Sequence, residues 1–265
     1  MKGRIRTSSA IALLAGSLLV SSACDVVFQG LNAEATDQWT RSYKLDAGGA
    51  IDVTSPNGTI DVTPSADATT VEVVAERRAR AATEDGAKQE LKRIQINEQV
   101  TPARIRLEVP RSSAGGDHFG RVAREVRFHL KVPKSATVTV NTRNGEIHVA
   151  GVSGAVKVDS TNGDIVGDNL GGMVQAHATN GNIRMHVTGV PTDGIRLGTT
   201  NGEIELRLPA DSKATIAATW ANGDFEATGL KPEGERESRR YDGKLNGGGP
   251  RVDLSTVNGR IRISS

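Results

Sequence analysis

Four segments of the chain share one pattern: TRNGEIHV at 142–149, STNGDIVG at 160–167, ATNGNIRM at 178–185 and TTNGEIEL at 199–206. Each contains Asn-Gly, one further residue and then Ile, and the unit occurs seven times if Phe is accepted in place of Ile. The seven asparagines are Asn57, Asn144, Asn162, Asn180, Asn201, Asn222 and Asn258. Four of the six intervals between them are 18 or 21 residues long, which predicts a fold built from a repeated structural unit.

The residues around each Asn alternate between apolar and polar. Apolar residues stand six and four positions before the Asn and three positions after it, with mostly polar residues between them. This period of two predicts strands that have one buried and one solvated face. The apolar positions are at even distances before each Asn and at an odd distance after it, so a tight bend at Asn-Gly is needed to keep the apolar face inside. Both Asn and Gly tolerate a left-handed bend.

Two architectures produce such a bend. Asn-Gly between alternating segments is a strong hairpin signal, so a β-meander of repeated hairpins is one interpretation. The other is a parallel β-solenoid with coils of about 18–21 residues, in which the asparagines stack and hydrogen-bond. The position two before the Asn is Ser, Thr or Ala in six of the seven units, which favours the crowded corner of a solenoid.

Two places depart from the repeat. Trp220 occupies the small position of its unit and is expected to need a bulge or an outward turn. The interval of 36 residues between Asn222 and Asn258 has room for a degenerate unit near residues 242–245.

The remaining chain suggests four regions. Residues 1–23 combine Lys2, Arg4 and Arg6 with a ten-residue apolar run, which is typical of a signal peptide and too short to span a bilayer. Residues 24–40 are predicted to be a tether, and 41–265 a single all-β domain. Within that domain, 65–133 is an irregular insertion or cap with strands and one short helix near 83–93.

Residues 21–24, Ser-Ser-Ala-Cys, resemble the lipobox of bacterial lipoproteins, although Ser21 stands where that pattern usually has Leu. The resemblance implies that Cys24 is lipidated and becomes the first mature residue, which would anchor the protein to a membrane. Ordinary cleavage after Ala23 is the alternative. Cys24 is the only cysteine, which excludes a disulfide framework.

The strand that ends in Val132-Pro133, followed by serial Thr-x-Asn-Gly-x-Ile units, resembles the bacterial putative-adhesin family. That family is also described as a β-strand-repeat domain of unknown function. The likeness covers about residues 41–265, and the run from Leu245 to Ile261 resembles its closing coil. The resemblance implies a β-solenoid in an exported or envelope-anchored protein and carries over no catalytic motif.

The sequence offers little catalytic chemistry. It contains no metalloprotease, nucleophile-elbow or P-loop motif, so we predict no enzyme, no cofactor and no metal site. The position two after the Asn forms an acidic column that could face a ligand or a cation, or simply be a polar face; its acids are Glu146, Asp164, Glu203 and Asp224. The five histidines are expected to be solvated surface residues.

Charge argues against nucleic acid as a partner. The formal net charge is +2 for the whole chain and −1 once the leader is removed, and the basic runs at 77–80 and 236–240 are mixed with glutamates. The predicted function is a non-enzymatic exported lipoprotein of the cell envelope that binds a glycan or an envelope protein. The alternatives are a carbohydrate-active β-helix enzyme, which the eight aromatic residues disfavour, and an accessory protein in envelope stress sensing. The oligomeric state stays open.

Overall fold

The computed structural model describes residues 31–111 and 122–265, which form nineteen strands and one α-helix. In chain order these elements are β1 (Ala33–Lys44), β2 (Ala50–Asn57), β3 (Ile60–Pro64), β4 (Thr70–Ala81), α1 (Glu84–Lys92), β5 (Asn97–Thr101), β6 (Arg104–Glu108), β7 (Val122–Val132), β8 (Thr137–Asn144), β9 (Ile147–Ala150), β10 (Val156–Asn162), β11 (Ile165–Leu170), β12 (Val174–Asn180), β13 (Ile183–Val187), β14 (Ile195–Asn201), β15 (Ile204–Arg207), β16 (Ala214–Thr228), β17 (Glu233–Arg236), β18 (Arg240–Leu245) and β19 (Arg251–Ser264).

The strands before and after each Asn-Gly belong to two different parallel sheets. Sheet one contains, side by side, β6, β2, β8, β10, β12, β14 and the first halves of β19 and β16. Sheet two contains β7, β3, β9, β11, β13, β15 and the second halves of β19 and β16. The parallel β-solenoid is therefore confirmed. The β-meander is wrong, because β8 and β9 pair with other coils and not with each other.

Every coil repeats the register of the coil beside it. Asn162 is the Cα partner of both Asn144 and Asn180, and the same match holds at the other corners. The apolar columns of the sequence consequently stack inside the solenoid, where Val138, Ile147, Ile165 and Ile195 are wholly buried. Burying each such side chain contributes about 1.5–3 kcal/mol, so the alternating pattern supplies the core.

The coils do not stack entirely in chain order. β19, which carries Asn258, lies between the coil of Asn201 and the coil of Asn222, and pairs in parallel with both. The C-terminal run is thus the last but one coil, not the closing coil. The segment between Asn222 and Asn258 is not a degenerate coil either. It forms β17 and β18, an antiparallel hairpin that continues sheet one beyond β16.

The position of the Asn222 coil at the end of the stack explains Trp220. The side chain is neither on a bulge nor turned outward; it is buried with Phe225 and Tyr241 in the core. The Trp220 and Phe225 rings are 6.3 Å apart, and the Phe225 and Tyr241 rings 4.6 Å. Since no further coil lies beyond this one, large aromatic side chains fill the end of the interior where other coils keep Ser, Thr or Ala.

The opposite end is covered by β1, β4, β5 and α1. β4 pairs antiparallel with β7, and β1 pairs antiparallel with β4 over all twelve of its residues. The Thr83 hydroxyl caps α1 by accepting a hydrogen bond from the Gly86 N–H at 3.1 Å. The predicted tether over 24–40 overlaps β1, because strand pairing with β4 starts at Ala33.

The unusual coil order makes a direct cross-linking prediction. Arg262 on β19 is the Cα partner of both Glu205 and Glu226. Neighbouring strands lie about 4.8 Å apart, within disulfide range, whereas alternate strands lie about 9.6 Å apart, outside it. In a Cys24→Ser background, Glu205→Cys with Arg262→Cys should oxidise to a disulfide, while Glu205→Cys with Glu226→Cys should stay reduced. Stacking in chain order would give the reverse result on a thiol assay.

The corners make a second prediction. A Cβ at Gly181 would lie 2.2 Å from the Gly163 carbonyl oxygen, whereas a Cβ at Gly189 would meet nothing within 4 Å. We expect Gly181→Ala to lower the free energy of unfolding by roughly 3 kcal/mol or more, because two packed coils must separate to admit the methyl group. Gly189→Ala, the matched control, should change it by at most about 0.5 kcal/mol. Equal denaturation midpoints would show that the corners are not in contact.

Candidate functional site

The seven asparagines form one continuous ladder of side-chain amides. Each Nδ2 donates to the Oδ1 of the next amide at 2.7–2.9 Å, in the order Asn222, Asn258, Asn201, Asn180, Asn162, Asn144 and Asn57. The last donor, Asn57 Nδ2, is 3.3 Å from the Arg124 carbonyl oxygen. All amide dipoles of the ladder therefore point the same way, which favours cooperative strengthening of the hydrogen bonds.

The bend itself is made by glycine. None of the seven asparagines has a positive φ, so Asn does not use the left-handed conformation that it tolerates. The glycine after Asn has a positive φ at six of the seven corners, for example 114° at Gly58 and 143° at Gly163. Asn is needed for its amide, which has one acceptor and two N–H groups, so each rung keeps one N–H for solvent or a ligand.

The acidic column does not form an uninterrupted row. Because β19 lies between two coils, Arg260 stands next to Asp224 and separates it from Glu203. Asn182 stands between the coils of Asp164 and Glu203, and its backbone N–H donates to Asp164 Oδ1 at 2.8 Å. Glu146 and Asp164 are thus the two acids of the column on adjacent coils.

Two of the acids are held by other groups. Asp164 Oδ2 is 3.3 Å from Arg184 Nη1, and Asp224 pairs with Arg236. The Phe225 backbone N–H, followed by Arg236, lowers the pKa of Asp224 below its ordinary value. A carboxyl group in this state does not serve as a general acid near neutral pH. The cation-binding role of the column stays a prediction.

A second row of titratable groups crosses the outer face of sheet two. Asp61 lies between two histidines, with Oδ2 at 3.1 Å from His129 Nδ1 and Oδ1 at 3.9 Å from His148 Nδ1. His148 Nε2 is 3.1 Å from Asp168 Oδ2. Over residues 31–111 and 122–265, no group of three His, Cys, Asp or Glu side chains is arranged to hold a metal ion.

Most of the basic side chains in the two sequence runs are paired with acids. Arg77 binds Asp37, and Arg78 and Arg80 both bind Glu34, so β1 supplies an acidic partner for each arginine of the run at 77–80. In the run at 236–240, Arg236 binds Asp224 and Arg240 binds Asp242. These contacts agree with the argument from the sequence that the two runs do not form a free basic surface.

A further cluster of basic side chains escaped the sequence analysis. Lys92, Arg93, Arg124 and Arg143 line one large cleft beside the coils of Asn57 and Asn144. They come from the end of α1, the start of β7 and the end of β8, so no local motif marks them. Only the fold brings them together.

Cys24, the predicted lipidation site, lies outside the described residues. In the described part of the chain, no helix has the length and apolar character required to cross a membrane.

Comparison with known protein families identifies the family of this chain. A family model described as Toastrack DUF4097 matches residues 50–264. The chain belongs to the Toastrack DUF4097 family. The match runs from the start of β2 to the end of β19, so it covers all seven Asn-Gly corners. The resemblance to the putative-adhesin family of β-strand repeats is thereby confirmed.

Solved structures similar to this Toastrack chain are distant in sequence. A putative cell adhesion protein from Clostridium sporogenes is 13% identical with a TM-score of 0.46, over 87% of this chain and 99% of that one. A putative adhesin from Bacteroides fragilis is 12% identical with a TM-score of 0.43, over 86% and 96% of the two chains. No curated protein matches the sequence closely.

Proposed function

We propose that this Toastrack chain is a non-enzymatic, exported protein of the bacterial cell envelope, which is anchored by a lipid at Cys24 and binds a glycan or an envelope protein. The observation that carries the proposal is the continuous amide ladder. It fixes seven coils in one register, so outward side chains repeat at the spacing of neighbouring strands, about 4.8 Å. Such a surface suits partners with repeated chemical groups.

The state of the acids favours binding over catalysis. A glycosidase needs two carboxyl groups on opposite sides of one scissile bond, one of them protonated. In the described residues of the acidic column, Asp164 and Asp224 are each held by an arginine, and Asp224 has a lowered pKa. The family and the names of similar structures, which include adhesins, are consistent with a binding role.

A sedimentation assay tests the binding role. The purified Cys24→Ser chain should pellet with isolated bacterial envelopes, and excess unlabelled protein should compete. Asp164→Asn should pellet equally and neither chain should cleave envelope oligosaccharides, because the proposal gives Asp164 no catalytic task. Oligosaccharide turnover that disappears in Asp164→Asn would establish the enzyme alternative, and a folded chain that does not pellet would contradict the binding role.

Phase separation tests the anchor. In Triton X-114, the full-length protein from cells should enter the detergent phase, because acyl chains on Cys24 contribute about 0.8 kcal/mol per buried CH₂. Cys24→Ser should move to the aqueous phase. Ser22→Ala, which keeps a small residue beside the cleavage site, is the matched control and should stay in the detergent phase. A Cys24→Ser chain that remains with detergent would refute lipidation.

A further inference from the structure

A cleft of about 1300 Å³ lies at the β1–β7 end of the solenoid. One wall contains the corners of the first two coils, including Asn57 and Asn144. The cleft is also lined by the residues that follow α1 and by the adjoining ends of β6 and β7. The volume exceeds the 300–1,000 Å³ or so that is typical of small-molecule pockets, so the cleft suits a segment of a longer chain.

The described lining of the cleft is predominantly basic. Its lining contains five basic side chains and one acidic side chain, namely Lys92, Arg93, Arg111, Arg124, Arg143 and Glu125. Glu125 is already paired with Arg127 at 2.7 Å, outside the lining. Concave surfaces lined by one sign of charge concentrate the field and attract the opposite charge.

Buried Glu90 organises one side of this cleft. Its Oε1 is 2.6 Å from Arg93 Nη1, and its Oε2 is 2.8 Å from Arg124 Nε. These bonds fix the positions of two guanidinium groups and use one negative charge for two positive ones. Lys92, Arg111 and Arg143 have no acidic partner within 4.0 Å among the described residues, so a net positive charge remains for a ligand.

Among the described lining residues there is no Phe, Trp or Tyr, the side chains that usually hold sugar rings or bases by stacking. What the cleft offers is hydrogen-bond donors. Guanidinium groups bind carboxylate and phosphate oxygens in a bidentate manner. The ladder amides at Asn57 and Asn144 add N–H donors beside them.

We propose that this cleft binds a linear anionic polymer through its repeated oxyanions, either the carboxylates of an acidic glycan or the phosphodiesters of a phosphate-linked chain. The proposal rests on the binding role proposed above and names the ligand chemistry of that role. A concave cleft fits a flexible chain better than a flat bilayer. Among the described lining residues, Val122 is the only large apolar side chain that is exposed, so this part of the cleft has little to insert into lipid.

The test measures binding of the full Cys24→Ser chain to polygalacturonate, which carries carboxylates, and to inorganic polyphosphate, which carries phosphates. Dextran serves as the neutral polymer. At 0.15 M salt, where charges further apart than about 8 Å are largely screened, the chain should bind at least one of the two polyanions and not dextran. The polymer that binds shows whether the cleft recognises carboxylates or phosphates.

Charge reversal in the cleft locates the binding. Arg143→Glu should weaken binding about tenfold, since it removes a charge-assisted contact and adds repulsion. Arg207→Glu is the matched control on sheet two, away from the cleft lining, and should change binding by at most about twofold at this salt. Circular dichroism and the melting temperature confirm folding. Lys92→Gln, at the exposed end of α1, is the second variant and should also weaken binding if Arg143→Glu fails to fold.

Three results would overturn the proposal: a folded chain that binds neither polyanion, equal effects of Arg143→Glu and Arg207→Glu, or cleft-dependent binding to vesicles of anionic lipid without binding to the polymers. The envelope sedimentation assay keeps the two proposals distinguishable. If Arg143→Glu pellets with envelopes like its parent and no polyanion binds, the binding role stands and the cleft is not its site.

Discussion

The structure depends on close contact between successive Asn-Gly corners. At six of the seven corners, the carbonyl oxygen of the neighbouring glycine lies too close to admit a Cβ, at 2.0 Å from the Cβ position of Gly145 and 2.1 Å from that of Gly163; at Gly58 the Val126 carbonyl oxygen does the same at 2.1 Å. No side chain fits such a gap, so glycine is obligatory in every coil. The amide of the preceding asparagine then meets its neighbours at hydrogen-bond distance. These two requirements together fix the register of all seven coils.

A fixed register determines what lies inside and outside. A shift of one residue would turn every apolar side chain of a coil toward water, at a cost of several times the 1.5–3 kcal/mol or so of one buried aliphatic residue. The ladder bonds are exposed and individually contribute only about 0.5–1.5 kcal/mol. Their importance is geometric, because they align the rows of outward side chains and place the first two corners at the edge of the basic cleft.

The sequence contains enough information to predict the repeat but not the ends of the stack. Alternation around each Asn predicts the strands, and the small residues before it favour the solenoid. The order of the last two coils is not evident from the Asn-Gly repeat, because the units of Asn222 and Asn258 both carry it. Trp220, which looks like an obstacle in the sequence, is understood once its coil is the terminal one.

The candidate sites also differ in how far the sequence predicts them. The acidic column can be recognised in the sequence because its members share one repeat position. Which arginines lie beside these acids, namely Arg184, Arg236 and Arg260, depends on coil order and lateral contacts. The basic cleft was invisible, since Lys92, Arg124 and Arg143 lie in three separate segments. Likewise β1 lacks a clear period, and only its antiparallel pairing with β4 makes it a strand.

Hydrogen exchange of the asparagine side chains tests the stacked corners most directly. In a ¹⁵N-labelled sample, NMR resolves the two N–H protons of each side-chain amide. The ladder predicts that one proton of Asn144, Asn162, Asn180, Asn201 and Asn258 exchanges slowly while its geminal partner exchanges fast. Asn97 and Asn141, which lie outside the ladder, should show fast exchange of both protons. Fast exchange of both protons at the five ladder positions in a folded protein would contradict the stacking of the corners.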